Sequence, residues 1–208
     1  MEDLVIIGAG PAGLAALLYA NLYGLSALCI GKPIGGKLLT APFIIDYPGI
    51  EGISGKDFVT LQLSQIQKTN GRIIEQRVSS ITPEQQNNQT MFTVTTENGT
   101  KQQAKTVLIA TGNMNKQSDK GILEIVNGLG LESRNGLLVV NPSMTTDVLG
   151  VFAAGDCIVY PFSLEQLATA VSTAITAAGS MYEYLKSGKP PILWGNTKIP
   201  RMTVNNIP

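Results

Sequence analysis

Four apolar residues, Leu4-Val5-Ile6-Ile7, run straight into Gly8-Ala9-Gly10-Pro11-Ala12-Gly13, and a long Ala- and Leu-rich stretch follows. A short β-branched run, a glycine break and a longer apolar run predict strand, tight turn and helix. The strand is expected over residues 4–8 and the helix over 11–24, with Pro11 in its first turn and Gly24 at its end. Residues 26–30 are apolar throughout, the pattern of a parallel strand covered on both faces. Residues 31–53 form a long Gly- and Pro-rich connection, and loops of that length in a compact domain are usually functional. Ser54-Gly55-Lys56-Asp57 has the form of a capping box opening a helix to about Asn70, which Gly71 ends.

Beyond it, residues 72–81 read as a strand and 83–89 as a polar loop. Residues 90–96 and 100–104 flank Asn98-Gly99, a strong hairpin signal. Residues 106–110 read as a separate buried strand. Residues 113–120 are polar and 122–131 weakly helical. Residues 137–140 read as a short strand and 151–156 as a buried strand ending in Gly-Asp, and a helix from Ser163 to about Lys186 is stopped by Pro190-Pro191. The fold class predicted is α/β: a Rossmann-like, three-layer domain with a central parallel sheet and a small antiparallel hairpin layer. It is expected to span residues 1–186, with a tail over 187–208.

The glycine stretch carries chemistry as well as shape. Gly-x-Gly-x-x-Gly between a strand and a helix is the layout that receives a pyrophosphate. Gly8 allows the turn, Gly10 lets backbone approach phosphate oxygens, and Gly13 lets the helix sit close to the strand. The helix N-terminus then attracts the anion. An ordinary glycine-rich turn is the alternative.

Composition removes several function classes. The 208 residues carry 15 basic and 15 acidic side chains, so nothing resembles a nucleic-acid footprint. No histidine is present, which removes the commonest general base, Ser-His-Asp arrangements and most zinc sites. No catalytic or metal-ligating residue is therefore assigned. The two cysteines, Cys29 and Cys157, are far apart in sequence and form no Cys-x-x-Cys; both read as buried small apolar residues. The chain opens on Met-Glu-Asp and enters a strand at once, and no apolar run approaches a membrane span. The expectation is a soluble cytoplasmic protein.

Three segments decide the cofactor together. Gly8–Gly13 can hold a pyrophosphate, Ala110-Thr111-Gly112 ends one buried strand, and Gly155-Asp156 ends another. In a doubly wound sheet all three strand ends can meet at the ligand-binding edge. Asp156 beside helix amides suits a polyol chain; a capping or turn carboxylate is its other reading. No acid follows the second strand, where a nicotinamide site usually places one for the ribose; Gly31-Lys32-Pro33 stands there instead.

These motifs resemble the FAD domain of low-molecular-weight thioredoxin reductases and of ferredoxin–NADP reductases of thioredoxin-reductase type. Ile6 to Gly13 resembles the family's opening, Gly35-Gly36-Lys37-Leu38 its Gly-Gly-Gln-Leu, and Asp46-Tyr47-Pro48-Gly49 its Asn-Trp/Phe-Pro-Gly. Ile109 to Gly112 and Gly150 to Asp156 are near-identical to family motifs, and Glu165-Gln166-Leu167 resembles the Arg-Gln-Ala before the last helix. The missing acid after the second strand also fits, since these reductases lack it there. The resemblance implies FAD, with roles residue by residue. Ala9, Gly10, Pro11, Ala12 and Gly13 would meet the pyrophosphate. Lys32, Pro33, Gly36 and Lys37 would line the adenosine and ribityl side. Asp46 would approach the flavin's polar edge, Val78 the adenine, and Asp156 a ribityl hydroxyl. Gln166 and Leu167 would bring helix amides near the pyrimidine end, where a helix N-terminus stabilises negative charge. Lys37 reads either as a further stabiliser of that charge or as a solvated lysine.

One family part is missing. Between Gly112 and Gly136 the family inserts a second dinucleotide domain, which needs on the order of a hundred residues. Only Asn113 to Asn135 intervene here, and the excision falls near residues 113–121. With that domain go the NADPH site and the Cys-x-x-Cys. Three readings remain: a flavin redox module fed by a partner protein or diffusible donor; a non-catalytic FAD scaffold, sensor or truncated remnant; and a nicotinamide enzyme using the single site. The resemblance also implies a homodimer. Trp194, Tyr160 and Phe162 are candidates to cover the flavin face that the second domain would shield, with packing on the surface or on a second subunit as the alternative for Trp194.

Overall fold

The computed structural model describes residues 1–86, 89–113, 122–159 and 165–191. The expected placements of Tyr160, Phe162 and Trp194 lie outside them.

The first strand, β1 (Glu2–Ile7), is almost wholly buried, and α1 (Pro11–Leu22) follows it. β2 (Ala27–Ile30) pairs with β1 in parallel, Leu4 opposite Ala27 through Ile7 opposite Ile30. The connection after β2 contains a 3₁₀ turn over Gly36–Thr40 and then α2 (Gly55–Lys68). Ser54 closes the expected capping box. Its hydroxyl accepts from the Asp57 amide at 3.1 Å and donates to the Asp57 carboxylate at 2.6 Å. Asn70, with φ 55°, takes the left-handed conformation after the helix, ahead of Gly71.

Residues 72–81 do not form one strand. They divide into β3 (Arg72–Ile74), parallel to β2, and β4 (Val78–Gln86), antiparallel to β5 (Gln89–Thr96). β4 runs on through Pro83 to Gln86, where a polar loop was expected. The polar residues fit a strand because β4 is the outermost strand of the sheet, and an edge strand has a free side for proline and charge.

The hairpin at Asn98-Gly99 forms as expected, with Gly99 at φ 85°. The Asn98 side chain accepts from the Thr100 amide at 3.2 Å. The strand after it does not break at residue 105. β6 (Lys101–Ile109) is continuous and changes partners along its length. Its first residues pair antiparallel with β5, its second half pairs parallel with β1, and Val107–Ile109 also pair parallel with β9 (Val151–Ala153). Between β6 and β9 lie the short α3 (Ile122–Val126), a 3₁₀ turn over Asn127–Leu129, β7 (Ser133–Arg134) and β8 (Leu137–Val139). β10 (Ile158–Val159), β8 and β7 form a separate three-stranded sheet. The last helix, α4, covers Leu167–Lys186, with Gln166 as its extended N-cap; the expected start at Ser163 lies outside the described residues.

The central sheet has the order β3-β2-β1-β6-β5-β4, with β9 beside β6. The protein is thus mixed α/β with a mainly parallel, Rossmann-like central sheet and a small separate sheet. Helix α4 packs on α1, and its Ala174, Ala177 and Ala178 are fully buried; small side chains of this kind let helices approach closely. Among the described residues no helix is long and apolar enough to cross a membrane.

Candidate dinucleotide cleft

A cleft of about 1000 Å³ opens at the carboxyl ends of β1, β2, β6 and β9, the edge where open α/β sheets bind ligands. Its floor is the turn after β1. Gly8 holds φ 107°, and a Cβ there would lie 2.3 Å from the Ala110 carbonyl oxygen. A Cβ on Gly13 would lie 1.8 Å from the Gly8 carbonyl oxygen, so α1 seats against its own entry turn only without one. The turn is tied on both sides: the Gly8 amide donates to Ile30 at 2.8 Å, and the Gly35 amide donates to Ala9 at 2.7 Å.

Two helix N-termini converge on this space. Neither the Gly10 N-cap of α1 nor the Gln166 N-cap of α4 makes a side-chain cap, and neither first turn holds an acid. First-turn amides have no intrahelical acceptor, so both ends turn positive dipole ends toward the cleft.

Most of the residues singled out from sequence meet here. Gly8, Ala9, Gly10, Pro11 and Ala12 line the floor; Lys32, Pro33, Gly36 and Lys37 line one wall. Val78 lies beyond that wall, and Ala110, Thr111, Gly112, Gly155, Asp156, Gln166 and Leu167 line the other side. Two do not reach the cleft surface. Gly13 sits behind the turn it packs on, and Asp46 is exposed outside the lining. The structure also adds residues that sequence reasoning passed over. Arg77 and Ser79 flank Val78, and Glu97 comes from the turn after β5. Glu124 and Ile125 come from α3, and Asn113 and Glu165 meet across the rim at 2.8 Å. Strand alternation around Val78 could have flagged its two neighbours; Glu97 and α3 arrive only through the topology.

Asp156 carries the notable electrostatics. Burial, reinforced by Glu165, pushes its carboxyl above the usual range, while the Lys37 ammonium works against that rise. The thiols of Cys29 and Cys157 are fully buried and pushed up to about 12 by desolvation. Cys157 donates to the carbonyls of Ile109 and Ala154, and Cys29 to that of Gly8. Both serve as packing under the cleft floor. Thiols so fully protonated are poor nucleophiles.

The residues present fit a dinucleotide such as FAD. A Cβ on Gly10 would meet no protein atom within 4 Å, and its φ of −80° suits any residue, so the empty side faces ligand space. The Thr111 hydroxyl is buried with no partner among the described residues, and a buried polar group of that kind calls for one.

Comparison with known proteins gives the same picture. The family described as pyridine nucleotide-disulphide oxidoreductase matches residues 2–122 and 74–178. A thioredoxin reductase from Ureaplasma parvum is 36% identical over 127 residues, covering 60% of this chain and 40% of that protein. A ferredoxin–NADP reductase from Leuconostoc citreum is 34% identical over 115 residues, covering 53% of this chain and 33% of that protein. The chain thus spans about two fifths or less of these curated relatives. A thioredoxin reductase structure from Gloeobacter violaceus superposes with a TM-score of 0.81 at 18% identity, covering 94% of this chain and 99% of that one. A ferredoxin-flavin thioredoxin reductase from Clostridium acetobutylicum gives 0.78 at 19% identity, covering 89% and 98%.

Proposed function

Because the chain belongs to the pyridine nucleotide-disulphide oxidoreductase family, we propose that it is an FAD-binding, thioredoxin-reductase-like oxidoreductase module with no NADPH site or redox dithiol of its own. The observation that carries this reading is the cleft, where two helix N-termini, ligand-facing Gly10 and the Thr111 hydroxyl, without a partner among the described residues, meet. Residues 1–186 form the FAD domain and 187–208 the tail, with the second dinucleotide domain absent near residues 113–121. A cytoplasmic location and a homodimer belong to the same reading; light scattering against the 22.1 kDa chain mass tests the dimer.

In this reading the first-turn amides of α1 hold the pyrophosphate, with Ala9 to Ala12 around it. Asp156 accepts from a ribityl hydroxyl, and the Thr111 hydroxyl gains a partner. The first turn of α4, from Gln166 and Leu167, favours negative charge near it. When bound, FAD supplies the electron transfer, between a partner protein or diffusible donor and an acceptor. The protein's part is to bind, orient and tune. The buried cysteines take no part, since neither presents a thiolate.

The test is reconstitution. Protein mixed with FAD and desalted should retain flavin absorption that bleaches on chemical reduction. A colourless protein that cannot be loaded would end the proposal. Stopped-flow mixing with NADPH should give no hydride transfer at a catalytically useful rate, because the sequence holds a single Gly-x-Gly-x-x-Gly. The second reading, a non-catalytic FAD scaffold or sensor, is favoured by the lack of any dithiol; it gains ground if loaded protein is reduced by no protein donor.

A further inference from the structure

Helix α2 backs the cleft from outside it, and one residue of its inward stripe is polar. The stripe is Phe58, Val59, Gln62 and Ile66, a spacing at which the helical period calls for apolar side chains throughout. Gln62 is only 8% exposed and is not part of the cleft surface. Its Nε2 donates to the Pro11 carbonyl at 3.4 Å, and its Oε1 is buried with no partner among the described residues. A carbonyl accepts only from the nitrogen of a side-chain amide, so this bond turns the Gln62 oxygen away from Pro11. Pro11 opens α1 and lines the cleft floor. It has no amide hydrogen, so its carbonyl is the one backbone group through which it can be held. The same helix α2 is seated against the wall that carries the Gly36–Thr40 turn. A Cβ on Gly55 would lie 1.8 Å from the Leu38 carbonyl oxygen, and one on Gly35 would lie 2.9 Å from the Val59 Cγ2.

We propose that Gln62 is a positioning residue of this cleft. Through Pro11 it ties the first turn of α1 to the helix that supports the Gly36–Thr40 wall, and so holds that turn's amides in place for a pyrophosphate. The physical reason lies in the cost of the side chain. A buried amide oxygen without a donor destabilises the fold, and an apolar side chain of similar length would remove that cost. A polar group kept where the packing pattern calls for an apolar one marks a site at which function overrides packing. Among the described residues the hydrogen bond of Gln62 goes to the helix start that meets the ligand.

The ligand part of this inference rests on the FAD reading, and the contact part does not, so each has its own measurement. Gln62→Met keeps the length of the side chain and loses both polar atoms; Ile66→Val loosens the same stripe without touching the contact. In ligand-free protein the carbonyl carbon resonance of Pro11 should move in Gln62→Met and stay in place in Ile66→Val. The urea midpoint should hold or rise in Gln62→Met and fall in Ile66→Val. An unmoved Pro11 resonance in Gln62→Met overturns the contact. Binding of FAD, followed by flavin fluorescence, and of ADP, followed by calorimetry, should each weaken about fivefold in Gln62→Met, the worth of one hydrogen bond. Both should keep wild-type strength in Ile66→Val. Gln62→Met that binds as tightly as wild type, or equal weakening in the two variants, overturns the positioning role. Wild-type protein that binds neither FAD nor ADP removes the FAD reading and the ligand part with it, while the Pro11 resonance decides the contact.

Discussion

Three residues of the glycine turn share a motif but differ in what they demand. Gly8 and Gly13 have protein backbone where a Cβ would go, whereas Gly10 has open space. Gly8→Ala and Gly13→Ala should therefore destabilise the ligand-free protein. Gly10→Ala should leave its urea midpoint near wild type yet weaken FAD binding sharply. Equal losses of stability in all three would refute the assignment of Gly10 to the ligand. Thr111 makes a related case. Removing a buried hydroxyl without a partner costs the ligand-free protein little, so Thr111→Val should melt at or above the wild-type temperature. If a ligand completes that hydroxyl, the same variant should bind FAD about tenfold more weakly, the value of one lost neutral hydrogen bond. The motif already gives the three glycines separate jobs. What the structure adds is the neighbours: the Ala110 carbonyl against Gly8, the Gly8 carbonyl against Gly13, and open space beside Gly10.

Elements hold the cleft from outside it. Helix α2 begins at the Ser54 capping box and packs against the Gly36–Thr40 turn that forms a cleft wall. Ser54→Ala should cost about 1 kcal/mol by denaturant unfolding, the usual worth of such a cap. β1 is secured at its start by carboxylates. Glu2 binds the Arg72 guanidinium and the Ser26 hydroxyl, and Asp3 accepts from the Lys105 ammonium at 2.8 Å. The Arg72 hydrogen bond, against burial, holds Glu2 below its usual value. Burial raises Asp3, but the hydrogen bonds from Lys105 and the Ser26 amide outweigh it. Acids lowered in the folded state contribute stability that is present above their unfolded values of 4.5 and 3.8 and is lost as pH falls through the lower folded values. Unfolding free energy measured from neutral pH down to about pH 3 should fall in that range, and the double variant Glu2→Gln, Asp3→Asn should show a flatter acid limb. At this scale the sequence was informative wherever a signal was local. The Ser54 box, the Asn98-Gly99 turn and the apolar run of β2 are each decided by neighbours in the chain. β4 was misjudged because Pro83 and its polar companions read as a loop until the sheet order makes them an edge.

For the whole molecule, the sheet order assembles one site from strand ends scattered between Ile7 and Ala153. A ligand that binds only the folded form stabilises it by mass action, so FAD at a hundredfold excess over its dissociation constant should add about 2.7 kcal/mol to the unfolding free energy. Thermal unfolding with and without FAD checks this, and an unchanged midpoint at saturating FAD would count against the cleft as the binding place. The sequence by itself determined the strand–turn–helix unit at Gly8–Gly13, the absence of a dithiol and of histidine chemistry, and the single dinucleotide motif. Each is a matter of residue type or of spacing within one helical or strand period, which short-range physics settles. Tertiary structure alone decided that β6 pairs with β5, β1 and β9 without a break, that Arg77, Glu97 and α3 reach the cleft while Asp46 stays outside it, and that Asp156, Lys37 and Glu165 line one cleft. Several of those facts join residues about a hundred positions apart, as in the pairing of Val5 with Val107. They depend on which strands lie side by side, and no local pattern of apolar and polar residues encodes that order.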